Sequence, residues 1–143
     1  MEKEAELEVL MSKQEIIDIV TRLFVNTDNK DWEGVKGVFA HKVHFDMTSL
    51  AGGEPAELTS QQIVDAWEEG LKEVEKIHHQ AGNFLVTVNG GQADAFCYGI
   101  ATHYRSGEEK KVTMFVGSYD LHLIKDANRW KIDRFRFNSK YVE

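Results

Sequence analysis

Gln92 to Tyr104 reads QADAFCYGIATHY, and its two alternating sets of side chains decide what kind of fold the chain forms. Ala95, Cys97, Gly99, Ala101 and His103 share one parity, while Phe96, Tyr98, Ile100 and Tyr104 share the other. That period of two sends neighbouring side chains to opposite faces of a strand. Turn chemistry brackets the run, with Asn89-Gly90-Gly91 before it and Ser106-Gly107-Glu108 after it. Asp126-Ala127-Asn128 then separates two further runs, about 111 to 124 and about 129 to 138. Strands joined by short turns predict an antiparallel meander. All three runs exceed the usual strand of about five or six residues, so the sheet must twist or curve.

Upstream the periodicity changes. Ser12-Lys13-Gln14-Glu15 reads as a capping box, followed by Ile16, Ile17, Ile19, Val20, Leu23 and Phe24 at helical spacing, which predicts a helix over about 12 to 27. Thr27-Asp28-Asn29-Lys30-Asp31 is turn chemistry, and Asp31 can cap a short helix burying Trp32, Val35, Val38 and Phe39. Val43, Phe45 and Met47 alternate with His44 and Asp46 as a strand does, and Gly52, Gly53 and Pro55 mark the loop that ends it. Thr59-Ser60-Gln61-Gln62 is a second capping box, opening a helix to about residue 74 with Ile63, Val64, Trp67 and Leu71 on one stripe. Three helices followed by a curved, mainly antiparallel sheet is an α+β arrangement. The helices can bury their stripes only in the concave face of that sheet, which leaves a pocket.

The 143 residues suit one domain with a sizeable core, 42% hydrophobic and 29% charged, with no repeat and no linker-like stretch. Residues 1 to 11, rich in glutamate, read as a frayed or helical extension. A net charge of −7 opposes approach to nucleic acid or to an anionic membrane surface. No apolar run is long enough to span a membrane, and the acidic start is unlike a secretory signal, so a cytoplasmic location is expected. One cysteine, Cys97, allows no internal disulfide, and in mid-strand among small apolar neighbours it reads as inert core. No metal site is expected: His78 and His79 are adjacent and point to opposite strand faces, and His41 and His44 straddle a helix-to-strand junction. No phosphate-cradling glycine loop occurs, so no cofactor is expected either.

Four local matches, in order, carry a likeness to a known family: Asp28-Asn29-Lys30-Asp31-Trp32, His79 with Gln80-Ala81-Gly82-Asn83, His103 late in its strand, and Trp130-Lys131-Ile132 in the last strand. From about residue 12 to 137 the sequence resembles the nuclear-transport-factor-2-like superfamily, and within it the SnoaL-like branch that includes scytalone dehydratase. The resemblance implies a cone-shaped, cystatin-like fold that forms a homodimer, and a pocket lined by Asp28, His79 and His103. It also maps Ser118 and Asp120 onto a polar pair facing the substrate, with Asp120 where the dehydratase has asparagine. Thr27 and Met47 stand where the dehydratase orients its substrate carbonyl through two tyrosines.

The residues themselves allow the chemistry this implies. Histidine titrates near neutral pH, so His79 is the candidate to move a proton at a carbon beside a carbonyl. Asp28 can fix a histidine's tautomer, and His103 is its expected partner, the complementary acid or base. Ser118 and Asp120 share parity with Met114, Val116 and His122, predicting an apolar pocket wall with a few polar groups that hold a substrate oxygen. Plainer readings stand beside these: His79 as a polar residue on a half-exposed strand, Asp28 as a turn residue, Asp120 as an exposed strand position, His122 as structural, Arg134 and Arg136 at the pocket mouth or in water. The expectation is a cofactor-independent lyase or isomerase acting on a hydrophobic carbonyl compound. The alternative is a non-catalytic small-molecule-binding or interaction module, since one fold hosts both. Apolar residues such as Phe96, Tyr98 and Ile100 on the sheet face away from the helices predict the homodimer independently.

Overall fold

A computed structural model describes residues 2–143, so of the acidic extension only Met1 lies outside the described residues. The chain runs α1 (Glu2–Asp28), α2 (Trp32–Val38), β1 (Phe39–Asp46), α3 (Thr48–Ala51), β2 (Ala56–Thr59), α4 (Ser60–Leu71), β3 (Lys76–Asn89), β4 (Gln92–Tyr104), β5 (Val112–Asp126) and β6 (Arg129–Val142). The six strands form one sheet in the order β2-β1-β6-β5-β4-β3. All neighbours are antiparallel except β1 and β6, whose pairing is parallel. The predicted α+β meander with a front strand paired into it is the observed fold.

Several local readings hold for the stated physical reasons. Asp31 caps α2, its Oδ1 accepting from the Gly34 amide at 3.0 Å. At the start of α4 both halves of the capping box form: Gln62 N–H donates to Thr59 Oγ1 at 3.1 Å, and Thr59 N–H donates to Gln62 Oε1 at 2.9 Å. Gly52 and Gly53 adopt φ of 73° and 79°, a left-handed turn that side-chain-bearing residues rarely make.

Others shift. Helix α1 does not start at Ser12 but continues back to Glu2, because Glu, Lys, Ala, Leu and Met favour helix and no glycine or proline stops it. That added stretch is exposed, Leu10 at 62%. Phe39 opens β1 rather than closing α2, and α4 ends at Leu71. Two short elements were not expected, the single turn α3 and the four-residue edge strand β2.

The core lies between the concave face of the sheet and α1, α2 and α4. Ile16, Val20 and Leu23 of α1 are fully buried, as are Val35, Ile63, Cys97, Leu123 and Ile132. Burial of each larger aliphatic side chain contributes about 1.5–3 kcal/mol. The small-residue face of β4 is the inner one: Ala93, Ala95, Cys97 and Ala101 are buried while Tyr98 and Ile100 are 45% and 43% exposed. Small side chains there make room for the helices and for what the helices do not fill. On β6 the inward parity changes from Trp130 and Ile132 to Phe135 and Phe137. The register shift between His122 and Leu123 on β5 marks the bulge responsible, which places Asp133 as the extra residue.

Candidate functional site: an apolar cavity with a histidine–aspartate pair

Where α1 ends, it lies against β3, and its last residue reaches that strand. Asp28 accepts twice from His79: Oδ2 takes the backbone N–H at 3.0 Å and Oδ1 takes the Nδ1–H at 2.6 Å. A carboxylate on Nδ1 puts the proton there and leaves Nε2 as a free lone pair. The side chains of His79 and Asp28 are 13% and 16% exposed. Phe24, one turn earlier on α1, stacks on the imidazole with ring centres 5.1 Å apart and planes 17° from parallel. The ring is therefore fixed in tautomer by the aspartate and in plane by the phenylalanine.

This corrects the sequence expectation in one respect. Asp28 pairs with His79, not with His103, because α1 crosses β3 at the strand edge while His103 stands one strand further in. His103 lines the same cavity as His79, its ring 4.8 Å from that of Phe115. Burial drives its imidazole down to about 4, with His79 and Arg105 pushing the same way and Asp28 opposing. His103 is thus uncharged at neutral pH, a hydrogen-bonding group rather than a reservoir of protons.

The cavity measures about 430 Å³. Its walls are aromatic and aliphatic: Phe24 and Leu23 from α1, Trp67 and Leu71 from α4, Phe135 and Phe137 from β6. Met47, Leu50 and Ala51 close one side from α3 and its approach. That turn is fastened to β6 through Ser49, whose hydroxyl donates to the Phe137 carbonyl at 2.7 Å and accepts from the Ser139 amide at 2.9 Å. No lysine or arginine lines the cavity among the described residues. Among those residues no group of His, Cys, Asp or Glu side chains is placed to hold a metal ion.

Thr27 and Met47 line the cavity. The Thr27 hydroxyl is already committed to the Leu23 carbonyl at 2.7 Å, so it offers a ligand little. Ser118 and Asp120 do not line it. They sit on the parity of β5 that faces away, Asp120 exposed, and Asn138 Nδ2 donates to both, at 3.3 Å to Ser118 Oγ and 2.7 Å to Asp120 Oδ2. The inward side chains of β5 are Phe115, Tyr119, Leu121 and Leu123. Apolar-against-polar alternation, with Tyr119, Leu121 and Leu123 facing Ser118, Asp120 and His122, was the signal that would have found them. Met114 and Val116 obscured it, because they are apolar side chains on the outward parity. Arg134 and Arg136 are exposed on the outer face, away from the cavity. Cys97 is fully buried, and burial lifts its thiol to about 12, which leaves it unreactive. No described helix is long and apolar enough to cross a membrane.

A cone of curved sheet closed by helices over one apolar cavity is the nuclear-transport-factor-2-like form of the cystatin-like fold. Residues 8–136 match the model of the SnoaL-like domain, and the chain belongs to that SnoaL-like family. Among solved structures it is similar to a nuclear-transport-factor-2-like protein with a cystatin-like fold from Novosphingobium aromaticivorans, at 19% identity and TM-score 0.77, over 94% of this chain and 85% of that one. A protein assigned as a scytalone dehydratase from the same organism superposes with TM-score 0.82 at 16% identity, covering 94% and 87%. A type 2 hexachlorocyclohexane dehydrochlorinase superposes with TM-score 0.83 at 11% identity, covering 96% and 91%. No curated protein matches the sequence.

Proposed function

We propose that this chain is a cofactor-independent lyase or isomerase that moves a proton on a neutral, hydrophobic carbonyl compound, with His79 as the base. The observation that carries this reading is the Asp28–His79 pair opening on an apolar cavity. With Nδ1–H held by Asp28, His79 Nε2 takes a proton from the carbon next to the carbonyl. The imidazolium that forms is stabilised by the adjacent carboxylate. Electrons from the broken C–H bond pass to the carbonyl oxygen as an enolate. The same imidazolium then returns its proton, to another carbon in an isomerase or to a departing hydroxyl in a dehydratase, and either way the base is regenerated. His103, neutral, donates its N–H to an oxygen of the substrate and steadies the charge that develops there. The absence of cationic side chains from the described cavity wall favours an uncharged substrate, because a carboxylate or phosphate would be desolvated without compensation. Two structural neighbours, the dehydratase and the dehydrochlorinase, carry names of elimination chemistry, which supports the class.

The test needs no natural substrate. A neutral bicyclic ketone such as 2-tetralone exchanges its α-protons in D2O, and the protein should speed that exchange as followed by NMR. His79→Ala and Asp28→Asn should each slow it by about 10²-fold or more, the scale for losing a positioned proton-transfer group. Binding of the ketone with no exchange above buffer would leave the non-catalytic module as the function.

The same reading extends to assembly: the chain pairs as a homodimer through the outer face of the sheet. Leu85, Tyr98 and Ile100 are 70%, 45% and 43% exposed there, an apolar surface carried on neighbouring strands. A monomer in sedimentation at micromolar concentration would overturn this.

A further inference from the structure

Among the polar groups of the cavity that the proposed proton transfer leaves unused is the hydroxyl of Tyr119. Tyr119 is only 5% exposed and lines the cavity. Its hydroxyl has no hydrogen-bond partner among the described residues, and it is not sealed off, since the one buried and unpartnered polar side-chain atom found among them is Trp130 Nε1. What little of Tyr119 is accessible therefore includes the hydroxyl and opens on the cavity.

Its direction follows from β4. Tyr119 pairs across the sheet with Cys97, but its ring leans over Gly99, two residues along, where a Cβ would overlap the ring edge. Gly99 has no left-handed backbone to explain it; its lack of a side chain is clearance for the phenol. The lean follows β4 towards Ala101, which pairs with His79 on β3. Phe24 fixes the ring on this side as well, stacked on His79 and tilted against Tyr119 at 4.9 Å. Phe135 and Phe137 hold the ring from the β6 side, at 5.5 and 4.9 Å. Burial raises the Tyr119 hydroxyl well above its ordinary range, the Cys97 thiol and Asp28 carboxylate adding to the effect, so it stays protonated and can donate.

We infer that Tyr119 is the substrate-orienting donor of this site, its hydroxyl hydrogen-bonding the carbonyl oxygen of the ligand so that the neighbouring carbon faces His79. The inference rests on the proton-transfer reading for its purpose, though not for its test. It also narrows the ligand: a molecule without an acceptor oxygen would leave the hydroxyl unpaired in an apolar cavity, which such sites reject.

The experiment compares 2-tetralone with its hydrocarbon counterpart tetralin, which lacks the oxygen, by calorimetry on the full chain. The wild type should bind the ketone more tightly than the hydrocarbon, and Tyr119→Phe should cut that preference by about tenfold, the scale of one buried hydrogen bond, with tetralin affinity nearly unchanged. The carbonyl stretch of bound, isotope-labelled 2-tetralone should lie lower in the wild type than in Tyr119→Phe, a shift that altered packing alone does not produce. Gly99→Ala, which keeps the hydroxyl but displaces the ring, should raise the stretch as well. An unchanged affinity ratio and stretch in Tyr119→Phe would overturn the inference, even if His79→Ala abolishes exchange. A shifted stretch in a protein that catalyses no exchange would retain Tyr119 and remove His79 as a base. Failure of both compounds to bind up to their solubility would overturn both.

Discussion

Two histidine–aspartate pairs occur on opposite faces of the same sheet, and their bonds are the same length. His79 Nδ1 meets Asp28 Oδ1 at 2.6 Å on the concave side, and His122 Nδ1 meets Asp133 Oδ1 at 2.6 Å on the other. What differs is the far nitrogen. His122 Nε2 is taken up by Gln92 Oε1 at 3.2 Å, and its pair is 24% and 28% exposed. His79 turns its other nitrogen to an apolar cavity, with no partner for it among the described residues. A histidine–aspartate hydrogen bond is therefore not in itself a catalytic signature. The cavity and the uncommitted lone pair separate the proposed base from a strut.

The sharpest way to break this contrast is to remove each histidine in turn. His79→Ala should lower ketone exchange by about 10²-fold or more, while His122→Ala should leave it within about twofold, both measured by NMR on folded protein. Equal losses would mean that the exchange does not take place in the cavity.

A smaller effect concerns the neutral histidine that shares the cavity with His79. His103 is held at about 4 in the fold and has its ordinary value of 6.5 in the unfolded chain. Between these values the unfolded chain binds a proton that the folded chain refuses. Stability should therefore fall as pH drops from 6.5 towards 4, by about 1–2 kcal/mol once solvent screening of a half-open cavity is allowed for. Urea titrations at pH 7 and 4.5 should show that loss in the wild type and a reduced one in His103→Gln.

The outer pair should matter less still. Asp133→Asn should cost under about 1 kcal/mol in urea unfolding and lose even that in high salt, since partly exposed ion pairs contribute little. At the bottom of the scale, Ser118→Ala and Asp120→Asn should change ketone exchange by less than about twofold, because both side chains face away from the cavity. A large loss from either would show that a ligand reaches the outer face.

The long strands were legible because alternation and turn residues act locally, and the inner face of the 92–104 run was legible from its small side chains. The inner face of β5 was not. Its polar side chains Ser118 and Asp120 looked like ligands for a substrate, but the parity facing the helices belongs to Tyr119 and Leu121, and Met114 and Val116, apolar on the outward parity, blur the alternation that would tell the two faces apart. Asp28, His79 and His103 could be named from their residue types and a resemblance. Which histidine Asp28 reaches depends on where α1 crosses the sheet, a packing outcome with no counterpart in spacing along the chain. The edge strand β2, Ala56–Thr59, has too few residues for a period to register.

The cavity is furnished from two unequal sources. Asp28, His79, His103 and Tyr119 come from segments scattered across the chain, whereas Met47, Leu50, Ala51, Trp67 and Leu71 all belong to one continuous stretch, residues 47–71. Insertions or replacements within that stretch would reshape the part of the wall it supplies while Asp28, His79, His103 and Tyr119 stayed on their own elements. A lineage built on this plan can diversify the molecules it admits by rewriting one passage of its gene, and leave the histidine–aspartate pair inherited intact.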